Sequence, residues 1–266
     1  MKKLLLVLAL TASATVSAHQ PYVSTLVNQT ENSRTPIIAG YAEEALSSEA
    51  ALKKAVFSIV DPESQVSQIT PETQLKSATV FDLSLPKEGT YKINSTISYH
   101  LKYAFQDKAW HMFLDMPADK APAKASRQYL IPSDFKKAPE TIDATREWTI
   151  QSYISKKHTT EIKEIELAPI DLTFSAHPNE IKANQDVVVH AHNHSKNEHL
   201  GDIEVSVRKL GESDEQAKTL STNKEGETTI RFATGGQYLV VATPKFNPQL
   251  KPTTQHYTIV SLHVSN

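Results

Sequence analysis

The stretch Phe81-Asp82-Leu83-Ser84-Leu85-Pro86-Lys87-Glu88-Gly89-Thr90-Tyr91-Lys92-Ile93 decides the reading of the fold. Phe81, Leu83 and Leu85 alternate with polar neighbours, as a half-buried strand requires, and a short turn delivers Gly89-x-Tyr91 into a second alternating run. The arrangement returns at Ile230-Arg231-Phe232-Ala233-Thr234-Gly235-Gly236-Gln237-Tyr238-Leu239-Val240. Glycine suits a turn residue with positive φ, and a tyrosine just after it can cover the end of a sandwich core while its hydroxyl reaches backbone. Two copies about 150 residues apart predict a mainly β chain of two β-sandwich domains with few short helices. The competing reading is that Gly-x-Tyr marks any hairpin turn.

Working outward, alternation marks further strands at Val80 to Leu85, Tyr91 to Phe105, Ile162 to Leu167, Asp186 to Ala191, Ile203 to Val207 and Tyr238 to Ala242. Glu43 to Val56, with unevenly spaced Ala45, Leu46, Ala50, Leu52 and Val56, is a candidate for a short helix. Pro169 cannot donate to a ladder, so a boundary is placed there. The expected division is an N-terminal β-sandwich over 19–168, carrying a proline-punctuated loop insertion near 116–144, and an immunoglobulin-like β-sandwich over 169–266.

The first residues read as an export signal. Lys2 and Lys3 precede the apolar run Leu4 to Leu10, and Val16-Ser17-Ala18 offers small residues for cleavage, so 1–18 is expected to be a signal peptide with His19 starting the mature chain. No later run approaches the roughly 20 apolar residues of a spanning helix. A lipid anchor would need a cysteine, and the sequence has none. The expectation is a periplasmic, alternatively secreted, protein without a membrane anchor. Of 28 basic residues two leave with the leader, against 30 acidic ones, which gives no footprint for nucleic acid. Without thiolates, any metal must be met by nitrogen and oxygen ligands.

Eleven histidines are present, and His190, His192, His194 and His199 crowd into Val187-Val188-Val189-His190-Ala191-His192-Asn193-His194-Ser195-Lys196-Asn197-Glu198-His199. Residues two apart on a strand share a face, so His190 and His192 point together while Val187, Val189 and Ala191 point the other way. His194 or His199 can supply a third ligand, and Glu198 an oxygen ligand or an outer partner. Neutral imidazole suits zinc, nickel, cobalt and copper(II). The plain alternative is a polar decoration of a solvated strand and loop. His19 adds a separate feature: once Ala18 is cut away, its α-amine and ring nitrogen can chelate one ion together. No Gly-x-Ser-x-Gly elbow, phosphate-binding glycine loop or His-Glu-x-x-His helix occurs.

The leader ending in Ala18 before His19 and Pro21-Tyr22-Val23, the Gly89-Thr90-Tyr91 strand, Ile181 to Val189, Leu200 to Val205, Thr222-Asn223-Lys224-Glu225-Gly226 and Gly235-Gly236-Gln237-Tyr238 together resemble a family of periplasmic proteins of unknown function associated with nickel uptake. The resemblance implies an accessory metal-binding component for nickel or cobalt beside a metal-uptake receptor or permease. It also implies a ligand role for His19 and a scaffold role for the turn at Asn223 to Gly226. The histidine-rich run departs from the family pattern, so its assignment rests on the residues alone. Three functions compete: a transition-metal-binding accessory protein, a non-catalytic cell-envelope interaction module of immunoglobulin-like domains, and a copper-dependent oxidative enzyme with an N-terminal histidine brace, for which spacing assigns no second histidine.

Overall fold

The computed structural model describes residues 19–72, 75–163, 168–193 and 198–266. Its strands are, in the first part of the chain, β1 (Gln20–Thr25), β2 (Gln29–Thr30), β3 (Arg34–Ala42), β4 (Phe57–Val60), β5 (Val66–Ile69) and β6 (Thr79–Ser84). Then come β7 (Gly89–Gln106), β8 (Ala109–Phe113), β9 (Tyr129–Leu130), β10 (Thr141–Lys156), β11 (Asp171–Phe174) and β12 (Asp186–Asn193). The last are β13 (Glu198–His199), β14 (Glu204–Lys209), β15 (Lys218–Ser221), β16 (Glu227–Arg231), β17 (Gly236–Thr243) and β18 (Gln255–Val264). The described helical elements are single 3-10 turns. None is long and apolar enough to cross a membrane.

The protein is a layered β-sandwich. A central sheet runs β15-β14-β17-β18-β10-β7-β4-β5, with β2, β8 and β9 attached; β1, β3 and β6 form a second sheet, and β11, β12, β13 and β16 a third. Alternation along the central strands supplies both faces. Leu239, Val241, Ile259, Ile150 and Ile93 join Tyr22, Ile37 and Leu83 in one apolar cluster. Val240, Ala242, Val260 and Leu262 join Leu172, Val187, Val189 and Ile230 in another. A strand buried on both sides carries apolar residues at odd and even positions alike, which is why β17 reads Tyr238-Leu239-Val240-Val241-Ala242.

Both Gly-x-Tyr copies do what their spacing predicts. Gly89 and Gly236 sit at φ +117° and +140°. The Tyr91 hydroxyl donates to the Lys87 carbonyl at 2.9 Å, and the Tyr238 hydroxyl donates to the Thr234 carbonyl at 2.7 Å. In each case a tyrosine ties down the turn four residues before it.

The helix expected over Glu43 to Val56 is absent. Leu46 and Lys54 adopt φ of +62° and +58°, which an α-helix cannot hold. Ala45 instead donates its N–H to the Glu212 carbonyl and accepts from Gly211 N–H. Ala45, Leu46, Leu52 and Ala55 still reach the core. The strand expected from Ile162 to Leu167 lies, from residue 164 on, outside the described residues. The insertion near 116–144 contains short 3-10 turns and β9, closed by Arg127, which holds both oxygens of half-buried Asp134 at 2.7 Å.

After the boundary expected at 168–169 the chain first builds β11 and β12 of the third sheet, and the central sheet takes strands from both sides of that boundary. β10 pairs in parallel with β18, from Arg146 opposite Gln255 to Ser152 opposite Ser261. Arg208 of β14, 1 % exposed, donates to the Glu43 carbonyl and to Gln20 Oε1, and pairs with Asp214 at 2.7 Å.

Candidate metal centre

β12 presents its two faces as its sequence requires. Val187, Val189 and Ala191 are fully buried against the inner cluster, while His190 and His192 stand on the outer face. The chain then returns as β13, which places His199 directly opposite His192 in an antiparallel pair. Directly paired residues lie on the same face, so three imidazoles converge. Ring centroids lie 5.8 Å apart for His190 and His192, 4.8 Å for His190 and His199, and 5.4 Å for His192 and His199. Nε2 of His190 lies 2.8 Å from Nδ1 of His199, and one ligand nitrogen from each of the three rings falls within 4.8 Å of the others. Tetrahedral zinc with imidazole bonds near 2.0 Å needs nitrogens about 3.3 Å apart, so side-chain rotations of roughly 1 Å bring this set onto an ion. His190 and His192 are half-buried and His199 is exposed.

The support beneath the rings comes from the turn at Asn223 to Gly226. Gly226 has φ +77°, and a Cβ there would meet the Ala191 carbonyl at 2.6 Å, Leu200 N at 3.1 Å and His190 Cδ2 at 3.3 Å. The turn therefore packs against both β12 and the residue after β13. Asn223 Oδ1 accepts from the N–H groups of Glu225 and Glu227, and Ala191 N–H donates to Gly226 O at 2.8 Å. Glu227 pairs opposite His190, which puts a carboxylate on the same face as the trio. Neither Gly226 nor Glu227 carries a metal-site signature in sequence; the Asn-x-x-Gly turn was the available signal.

His194 lies outside the described residues, as does the side chain of Glu198. His19 stands apart from the trio: its Nε2 is 2.9 Å from Glu49 Oε2, and Glu43 completes an exposed group of three. The companions of His19 are thus carboxylates, where a copper brace needs a second imidazole. Backbone donation from Glu43 and then the His19 contact hold the Glu49 carboxyl below its usual range.

No family model and no curated protein matches this chain. Solved structures match in part. The FN1-FN3 domains of chicken CNTN1 align over 92% of this chain and 65% of that one, at 10% identity and TM-score 0.26. The D0-D1 domain of intimin aligns over 92% and 97%, at 10% identity and TM-score 0.25. The NIE-MG1 span of Escherichia coli alpha-2-macroglobulin aligns over 87% and 95%, at 10% identity and TM-score 0.22.

Proposed function

We propose that this chain is an exported transition-metal-binding protein that captures or hands over a divalent ion through His190, His192 and His199. The observation that carries the reading is the convergence of three imidazole nitrogens within 4.8 Å on one sheet face. An all-nitrogen donor set without thiolate favours copper(II), nickel, zinc and cobalt over magnesium or calcium, which prefer oxygen. The leader at 1–18 supports a periplasmic location, and the resemblance to nickel-uptake-associated proteins supports an accessory role beside a nickel or cobalt receptor or permease. Calorimetric titration with each of the four ions tests the proposal. Stoichiometric binding by the parent, lost in a His190→Ala, His192→Ala variant, is expected; equal binding by both proteins overturns it.

A second reading, a non-catalytic cell-envelope interaction module, is supported by the layered all-β build, which leaves β5, with Val66 exposed, at one edge of the central sheet. Edge strands of this kind are templates for pairing with another chain. A parent protein that binds none of the four ions leaves this reading standing.

A further inference from the structure

Two layers of the sandwich meet at a buried pair of opposite charge. Lys92 of β7, in the central sheet, is 6 % exposed, and Asp171, the first residue of β11 in the third sheet, is 4 % exposed. Lys92 Nζ stands 3.5 Å from Asp171 Oδ1 and 3.5 Å from Oδ2. Equal distances to both oxygens centre the nitrogen on the carboxyl carbon, roughly 3–4 Å away, close to a near-attack contact. Among its other partners, Oδ1 accepts from Leu172 N–H at 3.1 Å and from Gln151 Nε2 at 3.3 Å. Gln151 is fully buried and its Nε2 is also held by Asn94 Oδ1. Two fixed N–H donors on one carboxyl oxygen stabilise the negative charge that develops there when a nucleophile adds to the carbon.

Burial sets the direction of such a reaction. Two charges taken out of water carry a desolvation cost that their attraction repays only in part, whereas an amide is neutral and hydrogen-bonds through the same oxygen. Tyr153, whose ring centroid lies 6.0 Å from Lys92 Nζ, adds no compensating charge: burial, and after it the Asp171 carboxylate, push its hydroxyl well above the ordinary range, so the phenol stays neutral. Both Lys92 and Asp171 line a cavity of about 320 Å³ that reaches solvent, so a water formed between them has a way out. The chain has no cysteine, so a covalent tie between its layers must come from other side chains.

We propose that Lys92 and Asp171 condense to an intramolecular amide that joins the central sheet to the third. The Lys92 ammonium passes one proton to the Asp171 carboxylate, and the amine so formed adds through its lone pair to Cγ. The charge that develops on Oδ1 is held by Leu172 N–H and Gln151 Nε2. The Nζ–Cγ bond forms, the Cγ–Oδ2 bond breaks, and Oδ2 leaves as water with that proton and a second one from the nitrogen. Nothing is oxidised or reduced, and no co-reactant is consumed. The inference needs none of the histidines of the trio and goes beyond the metal-binding reading.

The test is the intact mass of the purified full chain in denaturant, after its first residue has been read by sequencing, followed by peptide mapping. A mass one water below that of the sequence is expected, with a branched peptide in which the Lys92 segment is joined to the Asp171 segment. Lys92→Met and Asp171→Ala should each show the full mass of their sequence. The measurement on the unaltered chain decides the matter even if either variant fails to fold. A full sequence mass, in fresh protein and after days at room temperature, overturns the proposal. A loss of water that mapping confines to one unbranched peptide overturns it as well, since that marks a cyclised side chain and not a link between sheets.

Discussion

Nε2 of His190 lies 2.8 Å from Nδ1 of His199, nine residues further along the chain, because the return of β13 onto β12 stacks the two rings on one face. At that separation one ring donates and the other accepts, an arrangement that leaves no room for a proton on both facing nitrogens. On the proposed reading a bound metal ion would replace that proton, and each ligating imidazole must be neutral to coordinate. Replacing His190 and His192 together by alanine removes two ligands and leaves the buried Val187, Val189 and Ala191 face untouched. The expected outcome is loss of about 100-fold or more in metal affinity with an unchanged circular dichroism spectrum.

Gly226 links stability to this site. Its φ of +77° suits glycine, and a Cβ there would stand 2.6 Å from the Ala191 carbonyl. Gly226→Ala must move either β12 or the Asn223 turn. It should lower stability by about 1–3 kcal/mol and weaken metal binding in the same variant. Urea unfolding with and without the ion measures both effects; a variant as stable as the parent would show that the turn is free to yield.

How far the sequence reached follows from which faces the strands bury. β7, β12 and β17 were legible because their apolar runs are broken by turns at Gly89, Asn184 and Gly236, each at positive φ. β10, the long central strand, was not read. Its stretch Trp148 to Ser155 is buried throughout, yet Gln151, Ser152 and Ser155 interrupt the apolar pattern because one face meets the polar layer around Lys92 and Asp171. In the histidine cluster, the i, i+2 spacing placed His190 and His192 on one face, whereas the match of His199 to His192 depended on a strand return that spacing cannot specify.

Acid should destabilise the fold through two other histidines. Burial lowers the pKa of His263 against the opposing pull of the Thr25 carbonyl, to which its Nε2 donates at 2.9 Å. Burial likewise lowers that of His177, whose Nδ1 accepts from Asn179 N–H and so requires the neutral ring. With folded values below the unfolded one near 6.5, the unfolded chain binds more protons in the interval between them. Stability is therefore complete above that range and is lost as the pH drops through it toward the folded values. Both rings keep some exposure, so the loss between pH 7 and 5.5 should be on the order of 1 kcal/mol. Urea midpoints across that interval measure it, and His263→Gln should flatten the dependence.

Residues 170–266 are not expected to stand alone. Within that segment Val240, Ala242, Val260 and Leu262 pack against β12 and β16, a core that the segment contains in itself. Leu239, Val241 and Ile259, on the opposite face, pack instead against Tyr22, Ile37 and Ile150, which a fragment starting at Ile170 would lack. Uncovering a Val, Leu or Ile side chain costs about 1.5–3 kcal/mol, so three of them amount to much of the net stability of an ordinary domain. β18 would also lose its seven-residue parallel pairing with β10, from Gln255 to Ser261, and gain an open edge. Arg208 would lose Gln20 Oε1 and the Glu43 carbonyl while remaining paired with Asp214. The fragment is expected to give a poorly dispersed amide spectrum or to associate, and a co-expressed 19–163 segment should restore dispersion by supplying β10 and the opposing sheet. A well-dispersed spectrum and cooperative unfolding from 170–266 alone would show instead that the core shared with β12 and β16 suffices.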